Sequence, residues 1–392
     1  MSETTFDVIM VGGGLMGCAT AYYLLKNDST LKVALIETDS TYAKSSTTLS
    51  DGNTRIQFNL KENIQMSQYG LEVLDRFAEE MAVGDERPEV AFRRQGNLFL
   101  TDEAGRTVAE EGLVLQQSLG CRVNWLTPQE ISRRFPLLDP TGCVGGTFGP
   151  DDGTMDPNAV LLGYKKKAIS LGAHFIEGQV TELTRPDNRV SGVKLASGDR
   201  LRAKFVLNSA GAWAGQIAQT AGVQLPVQPV KRQVFVLQTN AHAQELLPLT
   251  VFPSGLYLIQ EHGNLFTCGK SLPNDPVGFD FSWSQALFAQ ELWPELVEFV
   301  PAFDRLKVVR GWAGLYAVNT FDGNAILGEW PERPGLFLAN GFSGHGFQQC
   351  HAVGRYLAEL MLDLSPSLDL SRLSPRRILD NKPVFENERR LV

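Results

Sequence analysis

The feature that most constrains this chain is Gly12-x-Gly14-x-x-Gly17, set directly behind the apolar run Phe6-Asp7-Val8-Ile9-Met10-Val11. Such a run reads as a buried parallel strand, and Ala19 to Leu25 carries the apolar residues of a helix packed on a sheet. In a strand–turn–helix unit of this kind each glycine has its own task. Gly12 permits the tight turn, Gly14 lets backbone approach a pyrophosphate, and Gly17 lets helix and strand touch. Phosphates then sit at the helix N-terminus with Leu15 and Met16, where free N–H groups and the dipole favour negative charge. A second apolar run, Val33-Ala34-Leu35-Ile36, ends at Glu37, placed to accept from a ribose 2′-OH and unsuited to a 2′-phosphate. A glycine triplet alone means little in a chain with 37 glycines. Strand, triplet, helix, strand and acid in register make a dinucleotide site, without yet choosing between NAD and FAD.

Two later stretches bring backbone toward the same ligand. The strand Ala203 to Leu207 runs into Asn208-Ser209-Ala210-Gly211-Ala212-Trp213, and Gly335 to Asn340 runs into Gly341-Phe342-Ser343-Gly344-His345-Gly346-Phe347-Gln348 before a helix through Leu362. A glycine-rich βαβ unit plus a later strand–Ala–Gly is the arrangement of a two-part FAD site and is not needed for NAD. Between them, Thr38 to Arg55 is too long and polar for a simple connection. Its hydroxyls (Ser45 and Ser46 among them) and Arg55 are candidates for a pyrophosphate or the face of a bound ring, against the plainer reading of a solvated loop. Further helices are expected over Asn63–Met81, Glu103–Leu119, Ala159–Leu171 and Trp283–Val300, with another opening at Pro128. Val90 to Leu100 reads as two short strands, Leu225 to Val309 as a strand-rich antiparallel unit, and the proline-bearing tail from Ser365 as extended.

At 392 residues the chain is long for one core, so two domains are expected. A net charge of −8 disfavours nucleic acid or an anionic membrane as partner. No apolar stretch reaches spanning length, and Met1 to Asp7 lack a basic n-region, so a cytoplasmic protein is expected. The five cysteines form no C-x-x-C pair and the five histidines show no metal spacing, so free thiols and no metal site are expected.

Together, Gly12–Gly17 with Glu37, Ser45–Arg55, Asn208–Trp213, Gly311-Trp312-Ala313-Gly314-Leu315 and Gly341–Gln348 resemble the D-amino-acid oxidase/sarcosine oxidase superfamily of FAD enzymes, in order along the whole chain. Tyr316, Asn319–Asp322 and Gly344-His345-Gly346-x-Gln348-Gln349 look most like the branch containing a mitochondrial FAD-dependent oxidoreductase-domain protein linked to complex I assembly. The resemblance implies an α/β fold of the glutathione-reductase/sarcosine-oxidase type. Its Rossmann-like FAD-binding domain would comprise 1–87, 145–224 and 325–392, and an inserted α+β antiparallel-sheet substrate domain 88–144 and 225–324. It implies FAD contacts from Gly12, Gly14, Leu15, Met16, Gly17, Glu37, Ser45, Ser46, Arg55, Val180, Ala210, Gly211, Trp213, Gly314, Gly344, His345, Gly346, Phe347 and Gln348.

The implied reaction is hydride transfer from the carbon beside the nitrogen of an amine, N-methyl or D-amino acid, or opine-like substrate, followed by imine hydrolysis. Arg55, Tyr316, Tyr257, Lys270 and His345 are the candidates for its catalytic end, His345 chiefly as a backbone contributor. Electrons would pass to a quinone, a carrier or O2. Departures from the family matter as much. Gly314 stands where monomeric sarcosine oxidases attach FAD through a cysteine, so noncovalent FAD is expected. Phe58, Gln348 and Tyr316 stand where relatives place the cations that grip a carboxylate. Phe266 aligns with the lysine that promotes reaction with oxygen, which leans toward a dehydrogenase. A flavin-bearing assembly factor or non-catalytic subunit is the competing reading, a nicotinamide enzyme a third, and a homo- or hetero-oligomer is left open.

Overall fold

The computed structural model describes residues 4–241 and 245–386, so Met1 to Glu3, part of the stretch read against a signal peptide, and the tail beyond 386 lie outside the described residues. The opening unit forms as its sequence dictates. Thr4–Val11 is a strand, Leu15–Asn27 a helix and Val33–Glu37 the next strand. The two strands pair in parallel, and Thr4–Val11 also pairs in parallel with Arg200–Asn208. Leu336–Asn340 and His174–Glu177 extend this sheet in parallel on its two sides. Ile326–Glu329 then closes one edge antiparallel. Both faces of the sheet are covered. One packs Met10, Tyr22, Leu35, Tyr164, Val353 and Leu357 into a core, and the other packs Ile9, Val11, Ile36, Val206 and Leu338.

The second sheet runs Leu306–Asn319, Val227–Thr239, Leu265–Gly269, Tyr257–Gln260, Leu249–Val251, Asn97–Thr101, Gly145–Gly149, Asn124–Leu126. It is antiparallel apart from one parallel pair, Leu249–Val251 with Asn97–Thr101. Gly145–Gly149 belongs to this sheet, although the expected boundary put residue 145 on the nucleotide side. Its core holds Phe235, Phe252, Phe266, Phe288 and Phe303.

Three expectations need correction. Val90 to Leu100 holds one strand, Asn97–Thr101, because Ala91 (φ 50°) and Gly96 (φ 79°) turn the chain out of extended geometry before it. The helix expected over Trp283–Val300 is broken into Gln285–Leu287, a wide turn at Phe288–Leu292 and Trp293–Phe299, where Pro294 lacks the N–H that a regular register needs. The tail is not simply extended. It contains Ser371–Leu373 and Arg376–Leu379, and Arg377 inserts a buried guanidinium whose Nε and Nη2 donate to Asp322 at 2.7 and 3.0 Å. Arg377→Ala is expected to cost about 3–5 kcal/mol, because it strands the Asp322 carboxylate without its counter-charge. Denaturant unfolding would measure it, and a midpoint within error of the unmodified protein would refute it.

Candidate active site

A cleft of about 780 Å³ runs between the two sheets, reaching from Glu37 and the Gly12–Gly17 turn to Tyr257 and Tyr316. At its first end Gly12 adopts φ 103°, and a side-chain carbon there would lie 2.5 Å from the Ser209 carbonyl oxygen. The Ser209 hydroxyl donates to the Gly12 carbonyl at 2.9 Å, so the two strand ends interlock. Gly17 does not line the cleft: an ideal Cβ there would lie 2.2 Å from the Gly12 oxygen, so the missing side chain lets the helix pack on the strand end. Gly14 is different. Nothing lies within 4 Å of its open side, and the helix it starts has no side-chain cap, so no capping side chain takes up the first-turn N–H groups. Glu37 sits at this end, half-buried; loss of water pushes its carboxyl up, against donors that include the Asp39 N–H at 3.1 Å.

Leu15, Met16, Val180, Ala210, Gly211 and Trp213 continue the wall. The Thr38–Arg55 stretch is not a free surface loop. The Ser46 hydroxyl donates to the Leu315 carbonyl at 2.8 Å and the Trp312 indole donates to the Leu49 carbonyl at 3.0 Å. The loop thereby bridges to the second sheet, and Ser45, Ser46, Asp51 and Arg55 line the cleft.

At the middle, Gly344 has φ 101° and an ideal Cβ there would strike the Tyr316 ring at 2.4 Å. The loop Gly344 to Gln348 and Gly314 face it from two sides. Arg55 is buried, its guanidinium over the rings of Phe58 and Phe99 at 4.8 and 5.2 Å. Its Nη2 donates to His345 Nε2 at 3.2 Å, and the Gln348 side-chain oxygen accepts its backbone N–H at 2.7 Å. Burial first, and then the Arg55 charge, push the His345 imidazole down to about 3, so it is neutral at physiological pH. That fits a positioning role and not acid–base work. Behind them Asp152 is fully buried, pushed up to about 7 by burial against donors from Gln57 and the Ile56 N–H.

At the far end the Tyr257 hydroxyl donates to Asp51 Oδ2 at 2.6 Å. Arg232, which no sequence argument singled out, also lines the cleft; it pairs with Asp275 at 2.5 Å and stands over the Tyr316 ring at 5.3 Å. The signal was present: Lys231 and Arg232 are adjacent cations in an apolar strand, and strand alternation sends them to opposite faces. Lys231 pairs with Asp280, leaving Arg232 for the cleft. Asp51 also went unremarked, inside a loop otherwise quoted for its hydroxyls and Arg55. Lys270 is not part of this group. Its ammonium pairs with Glu295 at 2.6 Å and it does not line the cleft. Phe266 is wholly buried in the second core and does not line the cleft.

Among the described residues no group of side chains is arranged to hold a metal, and no helix is long and apolar enough to cross a membrane. The family model described as FAD dependent oxidoreductase matches residues 7–360. The chain is 35% identical to the FAD-dependent oxidoreductase domain-containing protein 1 of Bos taurus over 91% of its own length and 81% of the bovine protein. It is 27% identical to the glycine oxidase of Geobacillus kaustophilus over 95% and 97% of the two chains. The L-proline dehydrogenase of P. horikoshii superposes with a TM-score of 0.86 at 26% identity, over 98% of this chain and 100% of that one. With the cleft placed between a Rossmann-like sheet and a second sheet, these likenesses identify the chain as a member of the DAO family of FAD-dependent oxidoreductases.

Proposed function

We propose that this chain oxidises the C–N bond of an amine or amino acid, using FAD held noncovalently. The observation that carries the reading is a single cleft joining a dinucleotide-binding turn to a polar far end of Arg232, Asp51, Tyr257 and Tyr316. The residues suit the cofactor. Gly14 leaves an open side beside an uncapped helix, and Glu37 lies where a ribose is expected. Gly12, Leu15 and Met16 would hold the pyrophosphate half, with Val180, Ala210, Gly211 and Trp213 along it. Arg55, Gly314 and Gly344 to Gln348 would hold the ring. No cysteine lines the cleft and His345 Nε2 is engaged by Arg55, which supports noncovalent attachment.

When bound, FAD supplies the hydride acceptor. The chain's own residues supply the setting. Arg55 and the N-terminus of Gly346–Met361 place positive potential where negative charge gathers. Tyr257, Tyr316 and Arg232 orient the substrate; a guanidinium suits a carboxylate, and Arg232 replaces the cations missing from the expected positions. Residues 88–144 and 225–324, joined by Gly145–Gly149, would form the substrate wall. A quinone, a carrier or O2 would serve as the final electron acceptor. An assembly factor would have no use for a polar substrate end, so the side chains gathered there favour an enzyme.

The test is the visible spectrum of the purified protein before and after acid precipitation, then anaerobic addition of N-methyl amino acids, D- and L-amino acids and opines. A released yellow cofactor bleached by one class is the expected result. A colourless protein removes the flavin, a yellow pellet removes noncovalent binding, and a flavin that no compound bleaches removes the enzyme.

A further inference from the structure

Resting on that reading, we infer that Asp51 is the seat of the substrate nitrogen: the substrate enters as an ammonium cation, pairs with the Asp51 carboxylate, and gives it a proton. Asp51 lines the cleft from the Thr38–Arg55 segment, facing the wall that carries Tyr257 and Tyr316. Its Oδ2 accepts the Tyr257 hydroxyl at 2.6 Å, which fixes the carboxylate, and among the described residues no hydrogen bond occupies Oδ1. Gly269, paired opposite Tyr257, leaves the room for this arrangement, since an ideal Cβ there would lie 2.5 Å from the phenol oxygen.

Among the described residues no cation bears on Asp51, and Arg232, at the same end of the cleft, is paired with Asp275. The titratable groups facing Asp51 from the second sheet are Tyr257 and Tyr316, with Cys268 beside them and Glu261 just beyond the Tyr257 strand. Burial above all, with a smaller push from the Glu261 acid, raises Asp51 to about 6 even against the Tyr257 hydrogen bond. A carboxylate taken from water without a counter-charge is an unfavourable arrangement that a bound cation relieves. Arg232 and Arg55 act on the same end of the cleft, both bearing on Tyr316. They repel a protonated nitrogen, and the removal of water loosens its proton further.

The step balances simply. R2NH2+ and the Asp51 carboxylate become R2NH and the Asp51 carboxylic acid; one N–H bond breaks, one O–H bond forms, and no electron moves. The free amine keeps the lone pair that the later loss of hydride requires.

The test takes the amine that bleaches the flavin and its fully N-methylated quaternary form, a permanent cation with no proton to give. Binding of the quaternary probe is followed by perturbation of the flavin spectrum from pH 5 to 8, without turnover. In the unmodified protein its affinity should rise up to tenfold per pH unit and level off above about 6, because a bound cation needs the ionised carboxylate. Asp51→Asn should bind it at least tenfold more weakly at pH 8, with no break near 6, while Asp51→Glu keeps the break. Bleaching by Asp51→Asn should become dependent on the amine's own ionisation. An unchanged pH profile in both experiments overturns the Asp51 assignment while leaving the enzyme standing. A wild-type flavin that no amine bleaches overturns the functional reading, and the Asp51 proposal with it.

Discussion

Replacing Gly17 with alanine is expected to yield protein carrying less than a tenth of the wild-type flavin. An ideal Cβ at this position lies 2.2 Å from the Gly12 carbonyl oxygen and 3.1 Å from the Ser209 hydroxyl. Neither neighbour has somewhere to go. The Gly12 N–H donates to the Ile36 carbonyl at 3.0 Å, and the Ser209 N–H donates to the Val11 carbonyl at 2.9 Å. The added methyl group must therefore push the helix Leu15–Asn27 off the sheet, and the first-turn N–H groups move with it. Overpacking of this kind costs about 1–3 kcal/mol, occasionally more. The phosphate contacts fail sooner than the fold, because they depend on where the helix starts. The ratio of visible to ultraviolet absorbance after purification reads the flavin, and thermal unfolding reads the fold. A fully yellow Gly17→Ala protein would show that Gly17 is not placing that helix. Gly14→Ala is the informative contrast. Open space surrounds its missing side chain, so the fold should be unaffected while flavin is lost only as far as a methyl group crowds the phosphates.

That contrast shows why the opening unit was legible in the sequence and the far end only partly. Gly12, Gly17 and Gly344 are each required by local backbone geometry, and a short stretch announces them. Sidedness in the second sheet depends on register, which no local pattern fixes. Tyr257 pairs with Gly269, so Gly269 shares the face of Tyr257, and Lys270, the next residue, turns away to Glu295. Arg232 pairs opposite Gly314, and both line the cleft. The sequence could point to the glycine through family resemblance; it could not say which cation stood across from it. Asp51 escaped notice for another reason. Only the fold brings Tyr257, 206 residues along the chain, against its carboxylate.

Arg55→Ala is expected to slow bleaching by a competent amine about 10²–10³-fold, the cost of removing one preorganised charged donor from a water-poor site. The residue has no freedom to be merely a surface charge. It is 7% exposed, lies across two phenylalanine rings and holds both His345 and Gln348. Arg55→Lys keeps the charge but not the planar fork or its stacking on Phe58 and Phe99, and should recover only part of the rate. A second readout separates electrostatics from packing. The Arg55 charge helps hold the His345 imidazole down to about 3, so its loss should raise the His345 pKa, whereas Arg55→Lys should leave it low. The sign then runs to stability. A histidine whose folded value lies below its unfolded one makes the folded protein bind fewer protons, so stability falls as pH drops through the unfolded value toward the folded one. Arg55→Ala should soften that loss between pH 6 and 4 as well as slow bleaching. Burial is the larger cause of the His345 shift, so the softening is partial. If bleaching slows but the acid limb of the stability profile is untouched, Arg55 acts on the substrate or cofactor directly and its contact with His345 is only steric. If neither changes, Arg55 belongs to the packing of the loop and not to the chemistry.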